Sequence, residues 1–319
     1  MNSDRAPLRF NDLPSVVQAK SLIGREELSQ LSNQQARSRF VRIASLWLCK
    51  LAVIFLVAPR ITMFLWPFLF VLTLAVIEGF RNWSHESLHQ KLFSQNHIVN
   101  SVMTMVLLGL PIMTPFKTRH RLHMTHHRNL NQESDRERHA WHWAEGRKLG
   151  KLLLIRELVL SSVSLRFVQG ALSARVKAEP VNRRQLAELA TLALYFIVVI
   201  WLVREGGVLL EYAILWIMPQ LLVSPFVNQV RSFAEHGNGS PSISRTTTPN
   251  LVERLFLYQA NFGYHFEHHV WPSIPESSLP KVHRLLEERG FWKSHPYLRQ
   301  KSGIGFVSRA ISHPRGMST

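Results

Sequence analysis

Three clusters of histidine side chains carry the clearest chemistry in this sequence. The first is the pair His85 and His89, four residues apart. The other two clusters share one pattern, with histidines at positions i, i+3 and i+4: His123, His126 and His127, then His265, His268 and His269. Residues three and four apart lie on the same face of a helix. Each cluster can therefore direct its imidazole rings to one side of a helix.

Imidazole nitrogens bind zinc, copper, iron and nickel. Eight clustered histidines exceed the four ligands that a zinc ion takes, and they suffice for two ions. Cys49 is the single cysteine, which excludes a disulfide framework, a cysteine-based zinc site and a cysteine-held iron–sulfur cluster. The sequence therefore predicts a metal centre built from histidine.

Long apolar runs must position these clusters. The chain has 319 residues, 46% of them hydrophobic and 18% charged, against about 25% charged in ordinary globular proteins. This composition excludes a disordered protein and argues against an evenly patterned soluble fold. Four runs approach the roughly 17–25 residues that cross a bilayer: residues 43–58, 61–80, 186–203 and 208–230. We predict an all-α membrane protein whose four transmembrane helices form two hairpins.

A fifth apolar run, residues 98–116, holds Asn100, Pro111 and Pro115. It is predicted to be re-entrant or interfacial, and an ordinary third span is the alternative. Residues 1–42 are polar, without the pattern of a signal peptide, and are predicted to be a cytoplasmic segment. Residues 43–290 would then be the membrane domain and 291–319 a cytoplasmic C-terminal tail. The basic, leucine-rich stretch 146–177 is predicted to lie on the membrane surface.

Charge placement predicts the orientation. Lys and Arg number 38 against 21 Asp and Glu, and 35 of the basic residues lie in 1–42, 81–185 and 231–319. The positive-inside rule therefore places both termini and the middle segment in the cytoplasm, where all three clusters can converge. The basic residues flank membrane segments and no nucleic-acid-binding module is present, so we expect membrane lipids as neighbours and no nucleic acid.

The three histidine clusters are called the first, second and third histidine box below. Through these boxes the sequence resembles the membrane fatty acid desaturase superfamily, which also includes hydroxylases and carotenoid ketolases. The resemblance covers roughly residues 43–290 and rests on the three boxes, on Asn261–Tyr264 before the third box, and on Pro272, Pro275 and Leu279-Pro280 after it. The segment Arg231–Gly237 at the end of the last run contributes as well.

The resemblance implies two iron ions held by nine histidines: His85, His89, His123, His126, His127, His236, His265, His268 and His269. His236 enters this set through the resemblance alone. Some desaturases carry an asparagine four residues before it, where this chain has Ser232, so that position is not counted as a ligand. His120 matches no ligand position but lies one turn before His123 and stays an open candidate. The remaining histidines are expected to be structural or solvated: His97, His139, His142, His283, His295 and His313.

Four acidic residues lie near the boxes, namely Glu86, Asp135, Glu235 and Glu267. A metal-bound histidine commonly donates its other N–H to a carboxylate, so these side chains are candidates for that contact. The alternative is that they lie on solvated helix faces. Residues 278–289, stopped by Gly290, are predicted to form a helix that caps the site from the cytosol.

The resemblance implies a fatty acid desaturase-like oxidoreductase that uses O2 to desaturate the acyl chain of a lipid or activated fatty acid. The alternative at the same site is a hydroxylase, ketolase or oxidative decarboxylase acting on an apolar, lipid-like substrate. With no dinucleotide-binding fingerprint or fused haem domain, the electrons would come from a separate ferredoxin, rubredoxin or cytochrome. The expected location is a bacterial inner membrane, with multiple spans and a cytoplasmic active site. A metal transporter would place ligands inside its spans, and none of the four predicted runs contains a histidine.

Overall fold

The computed structural model describes residues 9–32, 36–89, 92–94, 96–130, 132–135, 137–138, 183–237 and 244–312. These residues are mostly helical, as predicted. The chain divides into two compact units. The first comprises Met1–Gln34, Arg121–Arg156 and Asn228–Thr319, and the second comprises Gln35–His120 and Glu157–Val227.

The α-helices and strands in chain order are α1 (Pro14–Leu22), α2 (Arg25–Leu31), α3 (Ala36–Leu51), α4 (Trp66–His89), α5 (His97–Thr104), α6 (Phe116–Arg128), α7 (Arg183–Glu205), α8 (Leu209–Tyr212), α9 (Ser224–His236), β1 (Thr246–Thr247), α10 (Leu251–Phe256), α11 (His265–Val270), α12 (Leu279–Glu288), α13 (Phe291–Ser294), β2 (Arg299–Gln300) and α14 (Gly303–Ser312). π-Helical turns extend several of these helices: Ala52–Val57, Met105–Gly109, Ala213–Ile217 and Pro219–Val223. Short 3-10 turns comprise Phe10–Asp12, Ala58–Arg60, Met63–Leu65, Leu110–Ile112 and Pro296–Leu298.

Four helical stretches are long and apolar enough to cross a membrane, as the sequence predicts. They are Arg39–Arg60, Met63–His89, Gln185–Glu205 and Leu209–His236. Two of them continue past the predicted ends at residues 80 and 230. His85, His89 and His236 therefore lie in the last turns of these helices, beyond the apolar runs predicted from the sequence.

The predicted fifth run belongs to a broken helix. Residues His97–Ile112 and Phe116–Arg128 meet at an angle of 92°. The break contains Met113, whose φ of 57° is left-handed. It falls between Pro111 and Pro115, where each proline removes a backbone donor and favours a kink.

Side chains of the second unit satisfy the backbone of this broken segment. Nε1 of Trp216 donates to the carbonyl of Pro111 over 3.1 Å, and Nε2 of Gln220 donates to the same carbonyl over 3.2 Å. Nε1 of Trp47 donates to the carbonyl of Leu107 over 2.8 Å. Irregular backbone at membrane depth requires such partners, because lipid offers none.

The first unit contains the N-terminal helices, the end of α6 and the chain from Asn228 onward. Strands β1 and β2 pair in parallel, with Thr246 opposite Arg299 and Thr247 opposite Gln300. The core of this unit includes the buried Val16, Leu286 and Phe291. Residues 291–312, within the predicted tail, fold as part of this unit, whereas the predicted surface helix 146–177 lies outside the described residues.

Candidate metal centre

Four buried histidines of the first unit form one compact cluster, the α6–α9–α11 site. It comprises His126 of α6, His236 of α9, and His265 and His269 of α11. One potential ligand atom of each residue lies within 4.8 Å of the others. Nε2 of His265 is 2.9 Å from Nε2 of His236 and 3.1 Å from Nε2 of His269.

Three more histidines of this unit form a second cluster, the α6–α11 site, from His123, His127 and His268. Their potential ligand atoms also lie within 4.8 Å of one another. Nε2 of His123 and Nε2 of His127 are 3.0 Å apart, and the ring centroids of His127 and His268 are 5.0 Å apart. Helix α6 therefore contributes histidines to both sites, and so does helix α11.

The donor set fits a bound cation. Two nitrogens held about 2.1 Å from one ion at a right angle are about 3.0 Å apart, which matches the observed separations. A hydrogen bond could explain one close pair of nitrogens. It cannot explain both contacts of His265, because Nε2 of an imidazole carries either one proton or one lone pair and faces two other imidazole nitrogens here. A cation at the centre of the cluster satisfies all of these lone pairs at once.

Burial favours the neutral form of three of these imidazoles, those of His265, His268 and His269, so their lone pairs are available to a metal. Burial also lowers the pKa of His126, but the hydrogen bond to Asp135 and the charges of Glu137, Asp135 and Glu235 outweigh it and raise that pKa overall. Burial, together with the nearby His123 and His126, lowers the pKa of His268 to about 3. The pKa values of His265 and His269 also lie well below the usual value, first because of burial and then because of the surrounding histidines.

Two carboxylates contact the Nδ1 side of α6 histidines. Oδ2 of Asp135 lies 3.0 Å from Nδ1 of His126, and Oε2 of Glu137 lies 3.2 Å from Nδ1 of His123. Such a contact fixes the proton on Nδ1 and turns the Nε2 lone pair toward a metal. The sequence analysis identified Asp135 as a candidate for this contact but missed Glu137, whose backbone N–H donates to Oδ1 of Asp135 over 3.0 Å.

The other three acidic candidates, Glu235, Glu267 and Glu86, each have different surroundings. Oε2 of Glu235 lies 3.6 Å from Nε2 of His265, and Oε1 of Glu235 lies 3.7 Å from Nε of Arg231. Glu267 instead contacts His283. Glu86 is buried on α4 in the second unit.

Helix α11 begins at a tightly packed junction. A Cβ atom on Gly263 would lie 2.6 Å from the backbone carbonyl oxygen of Thr247, so the junction requires glycine. The backbone N–H of Thr247 donates to the carbonyl of Gly263 over 2.8 Å. Ala260 and Asn261, just before this point, adopt left-handed backbone conformations with φ of 52° and 56°. The turn and the strand therefore set where the third box starts.

The N-terminal segment packs against α11. The ring of Phe10 is buried and lies 5.5 Å from the ring of His269 and 6.3 Å from that of Phe266, both edge to face. Glu27 forms an ion pair with Arg289, near the end of α12. No sequence signal connected this segment with the histidine boxes.

The other histidines are described within the unit to which each belongs. His85 and His89 lie at the end of α4 in the second unit, with ring centroids 5.5 Å apart. His120 is half-buried in that unit, 6.1 Å from the ring of Phe116. His97 is exposed at the start of α5, and Nε2 of His295 bonds to Gln18 over 2.7 Å in the first unit. His139, His142 and His313 lie outside the described residues.

These observations define a helical protein with four helices suited to a membrane and two imidazole clusters suited to metal ions. The chain belongs to the fatty acid desaturase family, whose model matches residues 60–301. The match confirms the resemblance inferred from the boxes and includes all nine histidines. Membership implies an oxidoreductase of the desaturase or hydroxylase type, acting on lipid or acyl substrates in a membrane context, in a family that uses two iron ions. No curated protein matches the sequence significantly.

Proposed function

We propose that this protein is an oxygen-dependent di-iron oxidoreductase that desaturates the acyl chain of a lipid or activated fatty acid. One observation carries the proposal: Nε2 of His265 faces two other imidazole nitrogens within a buried cluster, an arrangement suited to a metal ion. Family membership supports iron as that metal.

The proposed ligands are the nine histidines named from the sequence. Seven of them form the two sites of the first unit. We propose that His85 and His89 of the second unit provide the remaining two ligands, in keeping with their spacing of four residues at the end of α4. Asp135 and Glu137 would orient His126 and His123 by accepting hydrogen bonds from their Nδ1–H groups.

Bound iron supplies, together with O2, the oxidising power to remove hydrogen from an unactivated methylene, which side-chain acids and bases cannot do. The histidines hold the ions, while the apolar helices give an acyl chain a route from the lipid phase. Two electrons per turnover would come from a separate ferredoxin, rubredoxin or cytochrome. The basic segments 1–42, 81–185 and 231–319 favour an acidic carrier.

The proposed topology places both termini and the metal centre in the cytoplasm, with two helical hairpins in a bacterial inner membrane. Residues 98–116 would be re-entrant. The 92° bend and the hydrogen bonds to the carbonyl of Pro111 support this interpretation, because a re-entrant segment needs its backbone satisfied by protein.

Elemental analysis of the detergent-purified protein tests the metal assignment. We expect about two iron ions per chain, because seven to nine imidazoles exceed what one ion takes. Zinc alone, with no activity regained on loading with iron, would contradict the di-iron proposal.

Lipid analysis of cells with and without the gene tests the reaction. We expect a new double bond in acyl chains, and a new hydroxyl or keto group instead would favour the alternative reaction at the same site. His268→Ala is the control, since it removes a proposed ligand but leaves the four apolar helices intact. This variant should insert in the membrane and leave lipids unchanged.

A further inference from the structure

Helix α11 has six residues, yet it carries three proposed metal ligands. An isolated helix of this length does not form in water, so its structure depends on contacts with its surroundings. His265, His268 and His269 share one face. Glu267 is two residues from His265, about 200° around the helix axis, and faces the opposite side.

The Glu267 carboxylate ties this opposite face to two other elements of the first unit. Its side chain is fully buried, and Oε1 lies 2.6 Å from Nδ1 of His283 on α12. The hydroxyl of Thr246 on β1 donates to Oε2. A buried carboxylate without partners is costly, so α11 is stabilised in the rotation that preserves both contacts.

His283 is itself held in place. Its ring lies 4.8 Å from the ring of Trp292 and 5.2 Å from that of Tyr264. Nε1 of Trp292 donates to the carbonyl of His283 over 3.3 Å. Nε2 of His283 is buried and has no hydrogen-bond partner among the described residues, so a proton is best placed on Nδ1. The ring therefore donates to Glu267.

We propose that His283 and Thr246 are positioning residues for the metal centre. Acting through Glu267, they fix the rotation of α11 and so aim His265, His268 and His269 at the metal ions. Neither residue is proposed as a ligand. The inference rests on the proposed function for the identity of the metal. It assigns a role to His283, which the sequence analysis expected to be structural or solvated.

Metal release tests this inference without any turnover. The full-length protein in detergent is loaded with Co²⁺, whose absorption spectrum reports the ligands of the ion. The transfer of Co²⁺ from the protein to an excess of chelator is then followed. His283→Leu removes the donor, and Thr246→Val removes the second hydrogen bond with little change in shape. Both variants should release Co²⁺ about tenfold faster or more, the effect of losing contacts that orient metal ligands. His283→Asn keeps a donor near the position of Nδ1 and should release it at nearly the native rate.

His295→Leu is the matched control. His295 is also a hydrogen-bonded histidine of the first unit, but its partner is Gln18 and not Glu267. It should release Co²⁺ at the native rate. Thr246→Val keeps the test decisive if His283→Leu does not fold. Native release rates in Thr246→Val and in any folded His283→Leu would overturn the positioning role, as would equal rates in His283→Asn and His283→Leu.

The positioning role and the proposed function can fail separately. Native protein that holds Co²⁺ in a His283-dependent way but leaves acyl chains unchanged would contradict the proposed function alone. A His283→Leu variant that desaturates lipids and releases Co²⁺ at the native rate would contradict the positioning role alone.

Discussion

Single residues decide how well each imidazole can serve a metal. The Nδ1 atoms of His126 and His123 both face carboxylates, but the two carboxylates differ in exposure. The side chain of Asp135 is fully buried, whereas that of Glu137 is 32% exposed. Water can replace Glu137 but cannot easily replace Asp135. A buried acceptor that is lost leaves the N–H without a partner, which costs more than losing an exposed one.

This difference gives a prediction at the residue scale. Asp135→Ala should speed metal release to a chelator by about tenfold or more, the usual range for contacts that orient a metal ligand. Glu137→Ala should change the rate much less. Chelator competition on the metal-loaded protein measures both, and equal rates in the two variants would show that burial of the carboxylate is not what matters.

Elements outside the histidine boxes support the boxes. The N-terminal segment precedes the family match at residue 60, yet Phe10 packs against the ring of His269. The Glu27–Arg289 pair holds the same segment to the end of α12. The hydrogen bonds from Arg289 and from the backbone N–H of Gly24 lower the pKa of Glu27 to about 2, so the carboxylate stays charged at neutral pH. Because this pair is exposed, packing of Phe10 should contribute more to stability.

We therefore expect Phe10→Ala to destabilise the first unit by about 3 kcal/mol, as for other buried phenylalanines, and to speed metal release. Val17→Ala is the control from the same segment, because Val17 is 54% exposed and its removal should change the stability by less than about 0.5 kcal/mol. Thermal unfolding of the detergent-purified variants compares them. An unfolding midpoint of Phe10→Ala equal to that of Val17→Ala would show that the segment does not support the third box.

At the scale of the whole molecule, membrane topology decides whether the proposed ligands can meet. Seventeen basic residues lie between Arg81 and Arg184, and the positive-inside rule opposes their export. The bond between a ligand nitrogen and a metal is about 2 Å long, so ligands of one ion cannot lie on opposite sides of a membrane core of roughly 30 Å. From both arguments we predict that residues 98–116 return to the side from which they entered.

Reporters fused after Asn96 and after Arg128 should both therefore indicate the cytoplasm. A fusion after Gly206, between the third and fourth apolar helices, is the control and should indicate the opposite side. If the reporter after Arg128 were periplasmic while the one after Asn96 stayed cytoplasmic, both the topology and the shared nine-histidine centre would be wrong.

The local patterns of the sequence were sufficient to predict the four apolar helices and the histidine-bearing faces of α6 and α11. Run length reports the capacity to cross a bilayer, and the spacing i, i+3, i+4 reports one helical face. Helical geometry alone could also have separated Glu267 from its neighbouring histidines, because a residue two positions along lies on the opposite side of the helix. These properties depend only on residues close together in the chain.

Tertiary structure alone decided the contacts between distant residues. His236 meets His265 across 29 residues, and Phe10 meets His269 from the other end of the chain. The pairing of Glu267 with His283 likewise depends on how α12 packs against α11. No periodicity reports such contacts, because they arise when separate helices bury their faces together. That packing explains why residues far from the third box in sequence, such as Phe10 and His283, contact it in the folded protein.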